Sequence, residues 1–119
     1  MEFNSLSWHD SVIKNIIINR SNPGKNDSIQ IEISWPNGEN NIISFKDTYW
    51  ADLNMNFGVV CEECIYTAHA EGKENETLIS FYAKWKGMIN DVELKYFEIE
   101  TNSTYSMIRI IARKFEIEK

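Results

Sequence analysis

With 119 residues and a formal net charge of −6 at pH 7, the chain is long enough for one domain that buries about 65% of its unfolded surface, so neither a disulfide nor a metal is needed to hold it together. The excess of acid argues against nucleic acid or an anionic membrane as partner and suits a basic protein. A hydrophobic content of 43% is that of an ordinary globular protein, and the four Trp, five Tyr and six Phe, with many Ile, favour sheet over helix.

The opening MEFNSLSWHD has neither the basic stretch nor the apolar run of a secretory signal. The longest aliphatic run, Ile16-Ile17-Ile18, is far too short to cross a membrane. A cytoplasmic protein is therefore expected, and the preponderance of Asn, Ile, Lys and Glu matches the codon bias of an AT-rich bacterial genome.

Taken in order, Phe3, Leu6 and Trp8 anchor a lead-in segment over residues 1–10. Ser11–Arg20 reads as a strand with Val12, Ile16 and Ile18 on one face and Ile13 and Ile17 on the other, so both faces are expected to be covered. Asn22–Asp27 has loop composition. Ile29, Ile31, Ile33 and Trp35 alternate with Gln30, Glu32 and Ser34, the clearest strand in the chain. Pro36-Asn37-Gly38 turns the chain into a further strand at Ile42–Phe45. Asp47–Gly58 is expected to be irregular, with Tyr49, Trp50, Met55 and Phe57 turned inward.

Residues 59–70 allow two readings. Val60, Cys61, Cys64, Ile65 and Ala68 fall on one helical face, with Gly72 just past its end; equally, Cys64–Ala70 is a strand after a Glu-rich turn. Thr77–Lys86 alternates Ile79, Phe81, Ala83 and Trp85 and reads as a strand. The chain ends in its longest hairpin, Leu94–Ile117. Phe97 and Ile99 share one face of the first arm; Ile108, Ile110 and Ala112 share one face of the second, opposite Arg109 and Arg113. Phe115 and Ile117 then fall out of phase, so a bulge is expected near Arg113–Lys114. Thr101–Thr104 supplies the turn. The expected fold is mainly β: one domain over residues 1–119, an antiparallel sandwich or strongly bent sheet built on the C-terminal hairpin, with at most one short helix, at 59–70.

Four groups of residues invite chemistry. Trp8-His9-Asp10-Ser11 holds a nucleophile, a base and an acid, but adjacent residues of an extended chain point to opposite faces and cannot surround one imidazole as a catalytic triad must. Asp10 is better placed to bond local backbone at a corner. Cys61-x-x-Cys64 with His69, and His9 as a fourth ligand, could hold zinc, yet a single CxxC supplies half a site, and Glu62 and Glu63 between the thiols disfavour the thiolate that redox chemistry needs. Two small buried side chains are the simpler account. Glu62, Glu63, Glu71 and Glu74, with Glu76, make the middle of the chain acidic: a solvated face, or a docking patch for a basic protein. Trp35 and Trp85 lie on alternating apolar faces and belong in the core, whereas Trp8 and Trp50, in irregular segments, are the accessible pair, and exposed Trp beside acidic loops anchors interfaces.

Trp8-His9-Asp10-Ser11 followed by an Ile-rich strand resembles the "Leu-His-Asp-Ser" opening of several small bacterial families, most of unknown function, some similar to immunity proteins of contact-dependent and polymorphic toxin systems. The run Phe97-x-Ile99-x-Thr101-Asn102-x-Thr104, ending at Ile110-Ile111-Ala112, is similar to the same group. Trp8 stands here for the usual Leu, and Tyr105 for a Gly in the turn. The resemblance covers the two ends of the chain and implies a β-rich single domain without enzymatic activity; it transfers no catalytic residue.

The expectation is thus a non-enzymatic, cofactor-free binding protein, monomer or homodimer. It would dock a basic protein, a toxin to be neutralised being one candidate, through Trp8, His9, Asp10, Trp50, Glu62, Glu63, Glu71 and Glu74. The alternative is a small-molecule or metal site, or an enzyme, built on His9, Asp10, Cys61, Cys64 and His69.

Overall fold

The structure, a computed structural model, describes residues 2–118. Half-buried alternation builds six strands: β1 (Val12–Asn19), β2 (Ser28–Ser34), β3 (Asn40–Asn54), β4 (Glu63–Glu71), β5 (Lys95–Thr101) and β6 (Met107–Glu118). All neighbours pair antiparallel in the order β1-β2-β3-β6-β5-β4. The sheet curls until its outer strands meet, but only two pairs close it, Val12 with Cys64 and Ile13 with Glu63.

The clearest strand behaves as its sequence dictates: Ile29, Ile31 and Ile33 are buried inside the curl. So does the final hairpin. Phe97, Ile99, Ile108, Ile110 and Ala112 face the interior, where they join Phe45, Ile43 and Ile65. The turn is longer than Thr101–Thr104. The Thr101 N–H donates to the Ser106 carbonyl (3.0 Å), and Tyr105, at the position where the resemblance places Gly, has φ 57°. The phase slip in β6 is present as two successive exposed residues, Arg113 and Lys114. The register shift against its partner, however, lies on β3 between Thr48 and Trp50. Together with Asp47 at φ 53°, this bulge bends β3, so that one strand of 15 residues serves both β2 and β6. Bulges increase local twist and bend the strand that carries them. The segment Asp47–Asn54, expected to be irregular, is thus ladder.

Two further expectations are corrected. Among the described residues the single α-helix is α1, Glu76–Lys84, overlapping the segment expected as a strand, while the helix allowed at 59–70 is absent and β4 there matches the strand alternative, Cys64–Ala70. Asn75 caps α1 by accepting from the Leu78 N–H (3.0 Å), Glu76 sits in the first turn and Lys84 in the last, the arrangement that capping and the helix dipole favour. Leu78 and Phe81 pack with Leu94, Tyr96 and Ile111 into a second, smaller core on the outer surface of the sheet. Trp85, expected in the core, is exposed. The connection back to β5 is fixed by the Tyr82 hydroxyl, which donates to the Val92 carbonyl and accepts from the Leu94 N–H.

One end of the curl is stoppered by the lead-in segment. A single 3-10 turn, Phe3–Ser5, buries Phe3 against Trp8, Phe97 and Phe115, with ring centroids 4.6, 5.1 and 5.1 Å away. Asn4 pins the turn to β4 by bonding both the N–H and the carbonyl of Ala70.

At the other end, the β1–β2 loop is organised by Asp27. Its carboxylate accepts from the Gly24 N–H (2.9 Å) and from Arg20 Nε (3.0 Å). These bonds, the Gly24 N–H first, hold its pKa below the ordinary 3.8. A depressed folded-state pKa contributes stability that is present above the unfolded value and lost as pH falls through the folded one. Asp27→Asn is therefore expected to narrow the gap in denaturation midpoint between neutral and strongly acidic pH. Midpoints measured across that range check this; an unchanged gap would show that the loop does not couple to the fold.

Candidate functional site

The eight residues expected to face a partner do not share one surface. Trp8 is corrected outright: it is 4% exposed, donates from Nε1 to the Phe3 carbonyl (2.8 Å) and stacks edge-on against Trp35. It is core because the lead-in segment folds over the end of the sheet. His9 and Asp10 are exposed at the corner entering β1. The Asp10 N–H donates to the Ile65 carbonyl (2.9 Å), at a φ of 67°, which Asp tolerates better than most residues. His9 Nδ1 meets the Tyr66 carbonyl at 3.0 Å, so it carries the proton there, and Nε2 lies 3.6 Å from the Asp10 carboxylate. Ser11 is buried and donates to the Ser7 carbonyl (2.6 Å). Its hydroxyl is engaged away from the imidazole, so the three residues form a corner and not a triad.

The carboxylates divide into two groups. Glu62 and Glu63 stand at the start of β4, Glu71 at its end and Glu74 just beyond. Eight residue steps of extended strand set the two ends roughly 26 Å apart, well past the distance over which exposed charges act together at ordinary salt. Glu71 is engaged by His69 Nε2 at 2.7 Å, with Glu98 3.9 Å from the same nitrogen. Trp50 is half-buried on the outer surface, with the Arg109 guanidinium 5.6 Å from its ring centroid and Arg109 itself bonded to Asp52.

The cysteine set does not converge either. Cys61 is exposed in the loop before β4 and Cys64 lies on the strand, both as free thiols. His69 Nε2 is already engaged by Glu71, with Glu98 near it. Among the described residues no three His, Cys, Asp or Glu side chains come together to hold a metal ion, and no helix is long and apolar enough to cross a membrane.

What the structure does assemble is an open corner that sequence reasoning missed. β1 was expected to be covered on both faces, but from Asn15 onward it pairs on its β2 side alone, and Ile17 and Ile18 are exposed. Beside this free edge runs the loop from Met55 to Glu62. Phe57, expected to point inward, is 83% exposed, and Val59 and Val60 stand out with it. Between edge and loop lies a groove of about 530 Å³ walled by Ile13, Ile16, Ile18, Leu53, Met55, Phe57 and Val59, with Cys61, Glu63 and Thr104 at one end. A single exposed aliphatic is unremarkable on any protein surface; a contiguous apolar patch marks a contact site. The available signal was Phe57-Gly58-Val59-Val60, apolar residues around a glycine of which only Val60 fits the helical period of the stretch that follows.

No protein-family model, curated protein or solved structure was found to match the chain.

Proposed function

We propose that this chain is a non-enzymatic binding domain that docks a basic protein through its open corner, in the manner of an immunity-type protein covering a toxin. The observation that carries this is the cluster of Phe57, Val59, Val60 and Ile18, exposed around an apolar groove and flanked by Glu62 and Glu63 on a chain of net charge −6. Apolar side chains ringed by charge are the composition of a contact whose centre is dehydrated and whose rim steers the encounter. The free edge of β1 adds unpaired backbone groups that an extended segment of a partner can satisfy. The opening Trp8-His9-Asp10-Ser11, similar to that of the immunity-like families, points to the same class.

The test is capture with the purified protein as bait from a lysate of its source organism, repeated with two double variants. A basic partner retained by the wild type and by Glu71→Gln/Glu74→Gln, but lost with Phe57→Asp/Val60→Asp, is the expected result. Retention by the Phe57/Val60 variant would move the contact elsewhere.

A further inference from the structure

Resting on that reading, we propose that the groove receives a lysine side chain of the partner, with Glu63 as the group that takes its ammonium. The carboxylate of Glu63 is anchored on one side only. Its Oε2 accepts from the Thr104 hydroxyl at 2.6 Å, and Thr104 is itself held 2.7 Å from the Ser106 hydroxyl. Its Oε1 is buried and has no hydrogen-bond partner. A buried, unpaired carboxylate oxygen is costly, and such a cost is relieved when a donor arrives. Among the described residues nothing nearby supplies one. Lys14, the cation on the groove wall, is engaged by Glu62 at 3.1 Å, and Glu63 makes no ion pair among the described residues.

The rest of the groove fits the stem that a lysine carries. Ile13, Ile16, Leu53 and Met55 offer apolar walls to four methylenes, and lysine buries such a stem while its head seeks charge. The terminal torsion of a glutamate is broad, so Oε1 can adjust toward the groove that Glu63 lines while the rotatable Thr104 hydroxyl follows Oε2. A free small amine would leave Phe57, Val59 and Val60 in water; a protein presenting lysine covers them. This choice also follows the charge of the chain, which favours a basic partner.

The test uses a matched pair of probes, N-acetyl-lysine methylamide and N-acetyl-norleucine methylamide. They share the aliphatic stem and differ in the ammonium. Titrations are followed by amide and methyl chemical shifts. The lysine probe is expected to shift Glu63, Thr104 and Leu53 saturably and to bind about tenfold more tightly than the norleucine probe, the factor typical of a hydrogen bond to a charged group. Glu63→Gln, which keeps the shape and the Thr104 bond, is expected to remove that difference and leave norleucine binding unchanged. Equal binding of the two probes, shifts centred on Glu71 and Glu74, or a preference that survives Glu63→Gln would each overturn the assignment. If partner capture fails with Phe57→Asp/Val60→Asp while the probes show no preference, the docking surface stands and the lysine site falls. If the probes discriminate and capture ignores Phe57 and Val60, the lysine site stands without the docking reading.

Discussion

Phe97→Ala is expected to lower the free energy of unfolding by roughly 3–5 kcal/mol, the range for removing a fully buried aromatic ring. Phe97 is 1% exposed. Its ring lies 5.1 Å from Phe3, 5.0 Å from Phe45 and 6.0 Å from Phe115, so it touches the stopper, the bent strand β3 and the C-terminal strand at once. Its backbone is paired on both sides, to Ala70 of β4 and Ile110 of β6. Strands clamped on both edges cannot close over the space the ring leaves, and the cost of such a substitution rises with the cavity that remains. Phe97→Leu, which keeps much of the volume, is expected to cost far less. Urea unfolding of the three proteins, with slopes compared to confirm that the unfolded states match, measures the difference. A loss below about 1 kcal/mol for the alanine variant, the ordinary effect of a point change, would mean that the aromatic cluster is not the centre of the fold.

The strands that the sequence made legible are those where one face meets the core and the other meets water. Ile29, Ile31 and Ile33 alternate without interruption, and β2 has an unbroken register against β3. The stretches that misled are those where bulges or competing periods intervene. In β4 the register shifts between Ile65 and Thr67. Ile65 is buried in the main core, and the next side chains packed against it are Ala68 and Ala70. A bulge thus turns a spacing of two into a spacing of three, which is the spacing of a helix face. The opposite error arose at α1. Ile79, Phe81, Ala83 and Trp85 alternate, but Leu78, Phe81 and Tyr82 follow the helical period and are the ones that pack. The deciding signal was local: Asn75 at the cap, with Glu76 and Lys84 at the two ends of the following stretch.

The candidate site was less legible than the fold because it depends on what fails to pair. Whether Ile18 is covered is settled by the length of the ladder between β1 and β4, and two pairs suffice to close the sheet while leaving the rest of that edge open. No pattern within β1 carries that information. Carboxylates gave a different kind of error. Glu62, Glu63, Glu71 and Glu74 are near one another in sequence, yet an extended strand separates them, whereas a helix of the same length would have kept them within about half that span. Closeness in sequence became separation in the fold once residues 63–71 formed a strand.

Trp8→Ala separates the two roles that this residue could have, and it is expected to act on stability by roughly 3–5 kcal/mol, as for any fully buried large aromatic. The lead-in segment has only one 3-10 turn, too short to persist by itself. It stays in place because Trp8 folds back on it. The indole lies 4.6 Å from the Phe3 ring and 5.1 Å from Trp35, and Nε1 satisfies the Phe3 carbonyl. Removing the indole exposes Phe3 and leaves its carbonyl with only the longer bond from the Leu6 N–H (3.3 Å), so the end of the sheet opens to water. Trp8→Phe keeps part of the packing and loses the N–H, and a cost of about 0.5–1.5 kcal/mol for the lost hydrogen bond is expected of it. A Trp8 that served a partner would behave in the reverse way: its removal would leave unfolding unchanged within about 0.5 kcal/mol, the effect of an ordinary surface change, and weaken capture alone. Unfolding measured without any partner therefore decides the matter. A stable Trp8→Ala variant would return the indole to the surface and undo the assignment of Phe3 to the core.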